Sequence, residues 1–365
     1  MRRTVGWVVA LGLLGGPVHA QFLSPGGVTS GWQGQAYSFG KRFEVRSLRQ
    51  WAVPLAAVLP AGRFSFDAGA YFASTTRELR DGTALTVAGL TDTQVRGAVV
   101  IGQDAAVVTM LVNLPTGASR LTPSEYAVLS AASSSFLAFP VNGYGSGPSV
   151  TAGVATAVPT GSWNFGIAGS VRYSGEFTPI SDPEGDFSYR AGFEGRLRLG
   201  VDRLIGSSRL SFGMTYSNFS NDEFSRGTGV TGVYRPGARF IAEMSYAGAV
   251  GPVSLVGYAW DYLRLAGDSA GTEVPNRENV LNVGTTARVP LSRTISWEPT
   301  AEFRLTNPEV GKAILVELIS GFRIRATRRL TVVPAFRVDL GRLEEPSLGH
   351  PIRGFGMSVF VRESF

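Results

Sequence analysis

The stretch Arg353-Gly354-Phe355-Gly356-Met357-Ser358-Val359-Phe360-Val361-Arg362-Glu363-Ser364-Phe365 alternates down to the last residue of the chain. One register holds Phe355, Met357, Val359, Val361 and Phe365, and the other holds Gly354, Gly356, Ser358 and Arg362. A period of two marks a strand with two unlike faces. Chain ends fray unless a sheet ties them down. A closed membrane barrel does so, because its last strand pairs with its first and no edge is left. The stretch therefore predicts an all-β, antiparallel, up-and-down transmembrane barrel.

Ending on Phe365 in such a strand resembles the terminal signal of bacterial outer-membrane proteins. The resemblance implies recognition by the barrel-assembly machinery through this strand and contact with outer-membrane lipid. Glu363 shares the outward register, where the interface depth near a chain end tolerates a charge. The opposite end has Arg2 and Arg3, a short apolar run from Val5 to Leu14, and the small-residue region Gly15-Gly16-Pro17-Val18-His19-Ala20. That order predicts a cleaved secretory signal over residues 1–20, with the barrel in 21–365. About ten apolar residues are too few to cross roughly 30 Å of hydrocarbon.

Composition fits the same picture. After the signal, no segment approaches the roughly twenty consecutive apolar residues of a transmembrane helix. Cysteine is absent, which excludes disulfides and thiolate chemistry. The formal charge is +6, about +4 without the two signal arginines. Lys41 and Lys312 are the sole lysines. The arginines are spread singly along strands rather than clustered with aromatics, so nucleic acid is not an expected partner. Spaced this way, they suit a wet interior in which they pair with carboxylates.

Alternation recurs from about residue 45 onward. In Leu330–Leu340 one face shows Leu330, Val332, Pro334, Phe336, Val338 and Leu340, and the other Thr331, Arg337 and Asp339. From Ile295 to Leu305 the polar face is Ser296, Glu298, Thr300, Glu302 and Arg304. Between Phe187 and Leu199 it is Ser188, Arg190, Glu194, Arg196 and Arg198. From Val253 to Leu265, Tyr258, Trp260 and Tyr262 share a register with Val256, and two of them are expected at the membrane interface. Short turns near Pro60–Gly62, Gly102–Asp104, Pro159–Ser162, Asp202–Ser207, Val250–Gly251, Leu291–Ser292 and Thr327–Arg328 alternate with longer connections, among them Gly341–Pro351. Short periplasmic turns and longer external loops give that rhythm. A strand between Val28 and Phe39 brings the total to about sixteen. If Gln21–Phe39 is instead an inward-folded plug, about fourteen remain.

Thr122-Pro123-Ser124-Glu125 interrupts the pattern with a capping box and Pro at the first helical position. A short helix over Tyr126–Phe136 follows, in the longest external loop. Two readings stand: a packed surface loop, or a constriction folded over or into the pore.

Chemistry-bearing constellations are sparse. One histidine, His350, remains after the signal, in an expected solvated loop, so a histidine-dependent hydrolase would have to use it. The acidic stretches Asp182–Asp186 and Asn221–Glu223 fit no calcium-loop spacing and read as loop charge. An enzyme is not expected, and no cofactor is implied.

Leu114-Pro115-Thr116-Gly117 and Val158-Pro159-Thr160-Gly161 each end a strand, and Gly145-Ser146-Gly147-Pro148 lies between them. Over roughly residues 95–175 this resembles the phenol-degradation meta-pathway family of outer-membrane barrels, distant relatives of the fatty-acid and aromatic-hydrocarbon channels. The resemblance implies passive uptake of small hydrophobic or aromatic solutes. The polar faces of the strands predict a charged lumen instead, lined by Arg190, Glu194, Arg196, Arg198, Arg239, Glu243, Asp261, Arg288, Glu298, Glu302, Arg304, Glu317, Arg323, Arg325, Arg337 and Asp339. Such rows either tune selectivity or fill the lumen as ion-paired scaffolding. The alternative to transport is a structural or adhesive barrel that anchors a partner.

Overall fold

The computed structural model describes residues 26–102, 105–183, 185–227, 230–308, 311–345 and 348–365. The expected signal, 1–20, lies outside them. In chain order the elements are β1 (Gly27–Phe39), β2 (Val45–Ala61), β3 (Phe64–Leu79), β4 (Ala84–Leu90), β5 (Thr93–Ile101) and β6 (Ala106–Leu114). The helix α1 (Pro123–Ala132), β7 (Ser149–Thr160), β8 (Trp163–Ser174), β9 (Phe177–Asp182), β10 (Gly185–Arg190), β11 (Glu194–Ile205) and β12 (Ser208–Phe219) follow. Next come β13 (Asp222–Arg226), β14 (Val230–Tyr234), β15 (Arg239–Val250), β16 (Val253–Arg264), β17 (Gly267–Ser269) and β18 (Thr272–Val274). The chain ends with β19 (Glu278–Pro290), β20 (Ile295–Pro308), β21 (Lys312–Arg325), β22 (Leu330–Glu345) and β23 (Leu348–Ser364).

Seventeen strands form one sheet. β4 and β5 both pair with β3, one above the other, so they make a single broken stave. The wall thus has sixteen staves. It closes through β1 and β23, which run antiparallel from Gly27↔Ser364 to Phe39↔Ile352. The segment from Gly27 is therefore a stave rather than an inward plug. Phe365 carries the closure one step further, its N–H donating to the Gly26 carbonyl at 3.0 Å.

The outer face is apolar along the staves. Leu55, Phe66, Met110, Val154, Leu197, Met214, Leu318, Phe336 and Phe355 all lie exposed on it. Monomeric soluble proteins rarely expose apolar patches beyond a few hundred Å². A continuous belt of this kind belongs in hydrocarbon, and the fold is a transmembrane barrel. Aromatic residues gather near both rims, as interfacial girdles do. Phe64 stacks on Phe66, and Trp163 on Phe165, beside the short turns. Tyr173 meets Phe193, and Tyr216 meets Phe240, toward the other rim.

Most expected turns are where the alternation breaks, several with glycine at positive φ, as at Gly62, Gly161, Gly206 and Gly251. Two longer segments differ from expectation. Gly341–Pro351 is not a solvated loop, because β22 and β23 continue through most of it as a paired hairpin. The run Phe187–Leu199 is not one strand. β10 ends at Arg190, and β11 enters the wall at Glu194. β9, β10, β13 and β14 form a separate four-stranded sheet at the long-loop rim.

Candidate functional site

The segment between β6 and β7 enters the barrel. Its helix begins as the capping box requires: the Thr122 hydroxyl accepts from the Glu125 N–H at 3.3 Å, and a Glu125 carboxylate oxygen accepts from the Thr122 N–H at 2.8 Å. The helix stops at Ala132 rather than Phe136. Beyond it, Phe136, Leu137 and Phe139 are buried against Tyr37, Leu48, Ala313, Leu315 and Ile352, inner-face residues of β1, β2, β21 and β23. Val128, Val141 and Tyr144 pack on Ala52, Ala73 and Val87. These apolar inner-face positions are the seat of the inserted segment. Of the two readings of the loop, this is the inward constriction.

Polar clamps hold the segment. The Gln50 side chain binds the Val141 backbone at two points, Nε2 donating to O at 2.7 Å and Oε1 accepting from N at 2.9 Å. Tyr144 shares a 3.0 Å hydrogen bond with Thr75. Asp92, placed by the break between β4 and β5, accepts from the Gly117 N–H at 3.0 Å, the Ser146 N–H at 2.7 Å and Asn113 Nδ2 at 2.8 Å. It thereby ties both ends of the inserted segment together. A Cβ on Gly117 would stand 2.0 Å from the Tyr144 carbonyl oxygen, so glycine is required at this neck. The two Pro-Thr-Gly turns thus serve different ends. Gly117 closes the neck of the insertion, and Gly161 makes a short turn at the opposite rim.

The lumen is charged, and many of its charges stand in ion-paired groups. Arg337 chelates Asp339 through Nε, 2.9 Å from each oxygen, bonds Glu317, and donates to the Tyr37 hydroxyl at 3.0 Å. Both carboxylates are buried, and Asp339 is fully so. Such charges persist away from water only when paired. Nearer the short-turn rim, Glu298 binds Arg288 at 2.6 Å and Arg323 at 2.8 Å. Arg198 reaches Glu243 at 2.5 Å and Glu194 pairs with Arg196 at 2.6 Å. Glu302 accepts from Tyr258 and Asn282. Arg304 donates to the Ser135 carbonyl at 3.5 Å. Arg239 lies over the Phe219 ring, and Arg325 shares the inner register of Glu317 and Arg323 at the short-turn mouth.

Two expected lining residues are elsewhere. Arg190 is on β10 of the rim sheet, bonded to Glu223 at 2.5 Å. The strand expected to carry it into the wall pairs instead with β9 and β13 and ends at Arg190. Asp261 is on the outer face. It pairs across strands with Ala242 and Leu281, and it accepts from Asn279 at 2.7 Å. The register of β16 is therefore the reverse of the one expected. Tyr258, Trp260 and Tyr262 face inward with Glu243 and Asn282, not toward the interface. Three large aromatics in one register look lipid-facing in a sequence. Here Gly284 leaves the space that lets the Tyr258 ring lie across β19 to reach Glu302, since a Cβ there would come 2.5 Å from it.

The remaining chemistry candidates are structural. His350 is buried on β23 against Phe43 rather than solvated in a loop. Asp222 is also buried, accepting from the Tyr189 hydroxyl and, at 2.7 Å, from the Gly192 N–H. Asp182 bonds Arg226 at 2.6 Å. Among the described residues, no group of three or more His, Asp or Glu is arranged to hold a metal ion. Sequence reasoning missed Gln50, Thr75 and Asp92, whose partners are distant in the chain.

No family model matches the sequence, and no curated protein matches it. Solved structures do align with it. A Pseudomonas aeruginosa FadL homologue is 8% identical over 94% of this chain and 91% of its own, with a TM-score of 0.48. A deletion mutant of the TodX monoaromatic hydrocarbon channel is 10% identical over 94% and 92%, with a TM-score of 0.46. Pseudomonas putida OprB is 12% identical over 92% of each, with a TM-score of 0.45.

Proposed function

We propose that this chain is an outer-membrane channel for passive uptake of small molecules. The observation that carries the reading is the asymmetric filling of the lumen. Segment 115–148 is clamped against β1–β4 and β19–β23 at the long-loop rim. The β8–β16 side is lined instead by charged and aromatic side chains, with several arginine nitrogens unpartnered. A scaffold with no traffic has no need of a charged wall beside a fixed constriction. The reading includes export by way of the 1–20 signal and assembly through the strand ending at Phe365. Hydrophobic or aromatic solutes remain the class suggested by the family resemblance.

Single-channel conductance of the purified protein in a planar bilayer, with and without small aromatic solutes, tests this. A steady current that solute modulates supports the channel. A sealed barrel, even after release of the Gln50 clamp, overturns it. The second reading is an anchoring barrel, and the ion-paired sheet of β9, β10, β13 and β14 at the rim favours it. Sealed conductance together with partner binding that depends on that sheet would establish it.

A further inference from the structure

The lumen wall from β8 to β16, beside the inserted segment, carries a row of arginines that the protein neutralises only in part. Arg196 on β11, Ser217 on β12, Arg239 on β15 and Arg264 on β16 are successive cross-strand partners on the inner face. Arg239 and Arg264 stand directly opposite each other. Like charges so placed destabilise a sheet unless something lies between them. Arg172 on β8 adjoins the row through its partner Glu194.

The local carboxylates are already engaged. Glu194 holds Arg196 at 2.6 Å, and Glu278 holds Arg264 at 3.3 Å. Glu278 also accepts from Ser135 of the inserted segment, so the row abuts the constriction. Asp222 spends its oxygens on Tyr189 and Gly192. Among the described residues neither Arg172, though opposite Glu194 across the strands, nor Arg239 closes an ion pair with a carboxylate, and the Nε of each is buried without an acceptor. Four arginines thus face two glutamates. Beside them lie Phe219, under the Arg239 guanidinium, and the buried Tyr262, which follows Ile241 across the strands.

We propose that this row is a binding site for the carboxylate of a small organic anion, seated between Arg239 and Arg264 with its apolar part against Tyr262 and Phe219. A guanidinium presents paired donors that match a carboxylate. The anion would take the terminal guanidinium nitrogens and separate the two like charges. Aromatic faces beside it favour a ring-bearing carboxylate over an inorganic anion. The proposal rests on the channel reading and names its solute class.

The test is equilibrium dialysis of labelled benzoate against the purified, detergent-solubilised protein, with benzylamine as the cationic control and chloride as the competitor. Saturable benzoate binding is expected, with benzylamine excluded. Arg239→Gln should weaken it about tenfold, the loss of one charge-assisted contact. Arg239 makes no ion pair to break, so this variant should fold, and heat-modifiable gel mobility checks that. Arg172→Gln is the second variant. Equal binding of benzylamine, or benzoate binding unchanged in both folded variants, would overturn the assignment. Conductance of the same preparation separates the two claims. A sealed barrel that still binds benzoate sinks the channel but keeps the site. A conducting barrel without benzoate binding does the reverse.

Discussion

Gln50 on the barrel wall and Val141 in the inserted segment are joined as if they were neighbouring strand residues, the side-chain amide replacing a peptide group. Both groups are buried. An amide is the one side chain that can offer a donor and an acceptor in that geometry. The bond couples the wall of β2 to the constriction, so the position of the segment is set by a residue about ninety positions away.

Gln50→Leu should therefore loosen the constriction without dissolving the barrel. It leaves the Val141 N–H and C=O unpaired, at about 1–3 kcal/mol for each group kept from water. The segment is expected to swing away to recover those bonds from solvent. Larger or noisier conductance steps, with unchanged gel mobility of the folded barrel, would show this. Unchanged steps would mean that the apolar contacts of Phe136 and Phe139 suffice.

Asp92→Ala should be more severe than Asp92→Asn. The alanine variant strands the donors of Gly117, Ser146 and Asn113. The asparagine variant keeps one acceptor oxygen. A fall in the thermal transition of several degrees for the first, and roughly half that for the second, is the expected order. Protease cleavage within 115–148 would rise in the same order.

Arg337→Met tests the buried charge cluster. It removes the cation shared by Glu317 and Asp339, and an uncompensated buried charge costs about 3–5 kcal/mol. Urea-induced unfolding should shift to a lower midpoint. Adding Glu317→Gln and Asp339→Asn should restore most of the loss, because the triple variant buries no charge. Absence of rescue would mean that Arg337 acts mainly through packing.

Gly284→Val should disturb the wall by overpacking. The added side chain meets the Tyr258 ring, and forced repacking costs about 1–3 kcal/mol. Tyr258→Ala in the same background should relieve it. Simple additivity of the two changes would refute the proposed overlap.

Tyr189 in the rim sheet has its phenol pushed up, first by burial and then by its hydrogen bond to Asp222 and that carboxylate's charge. A raised folded value means that its contribution is complete below the unfolded phenol range, about pH 10. It is lost as pH climbs toward the higher folded value. Ultraviolet titration should thus show Tyr189 among the late-ionising tyrosines, and Tyr189→Phe should reduce that phase by one phenol. A titration unchanged by the substitution would refute the assignment.

The sequence alone determined the barrel. Alternation in Leu330–Leu340 and Gly354–Phe365, with arginine and carboxylates on the polar face of long strands, suits lipid on one face and water or protein on the other. That constraint is local and repeats at each stave. The capping box at Thr122–Glu125 was equally legible, because its bonds span three residues. Most of the charged inner register followed from the same period of two. The tertiary structure decided the rest, for want of any local signal. Whether Arg190 enters the wall depended on where β10 gave way to β11. The face of β16 depended on space left at Gly284 across the neighbouring strand. Gln50, Thr75 and Asp92 gained their roles only when the inserted segment met them inside the barrel. The surplus of Arg239 and Arg172 became visible only after every nearby carboxylate had found another partner. A single strand shows which residues share a face. Closure of the sheet is what brings charges from separate strands within reach and leaves some of them unanswered.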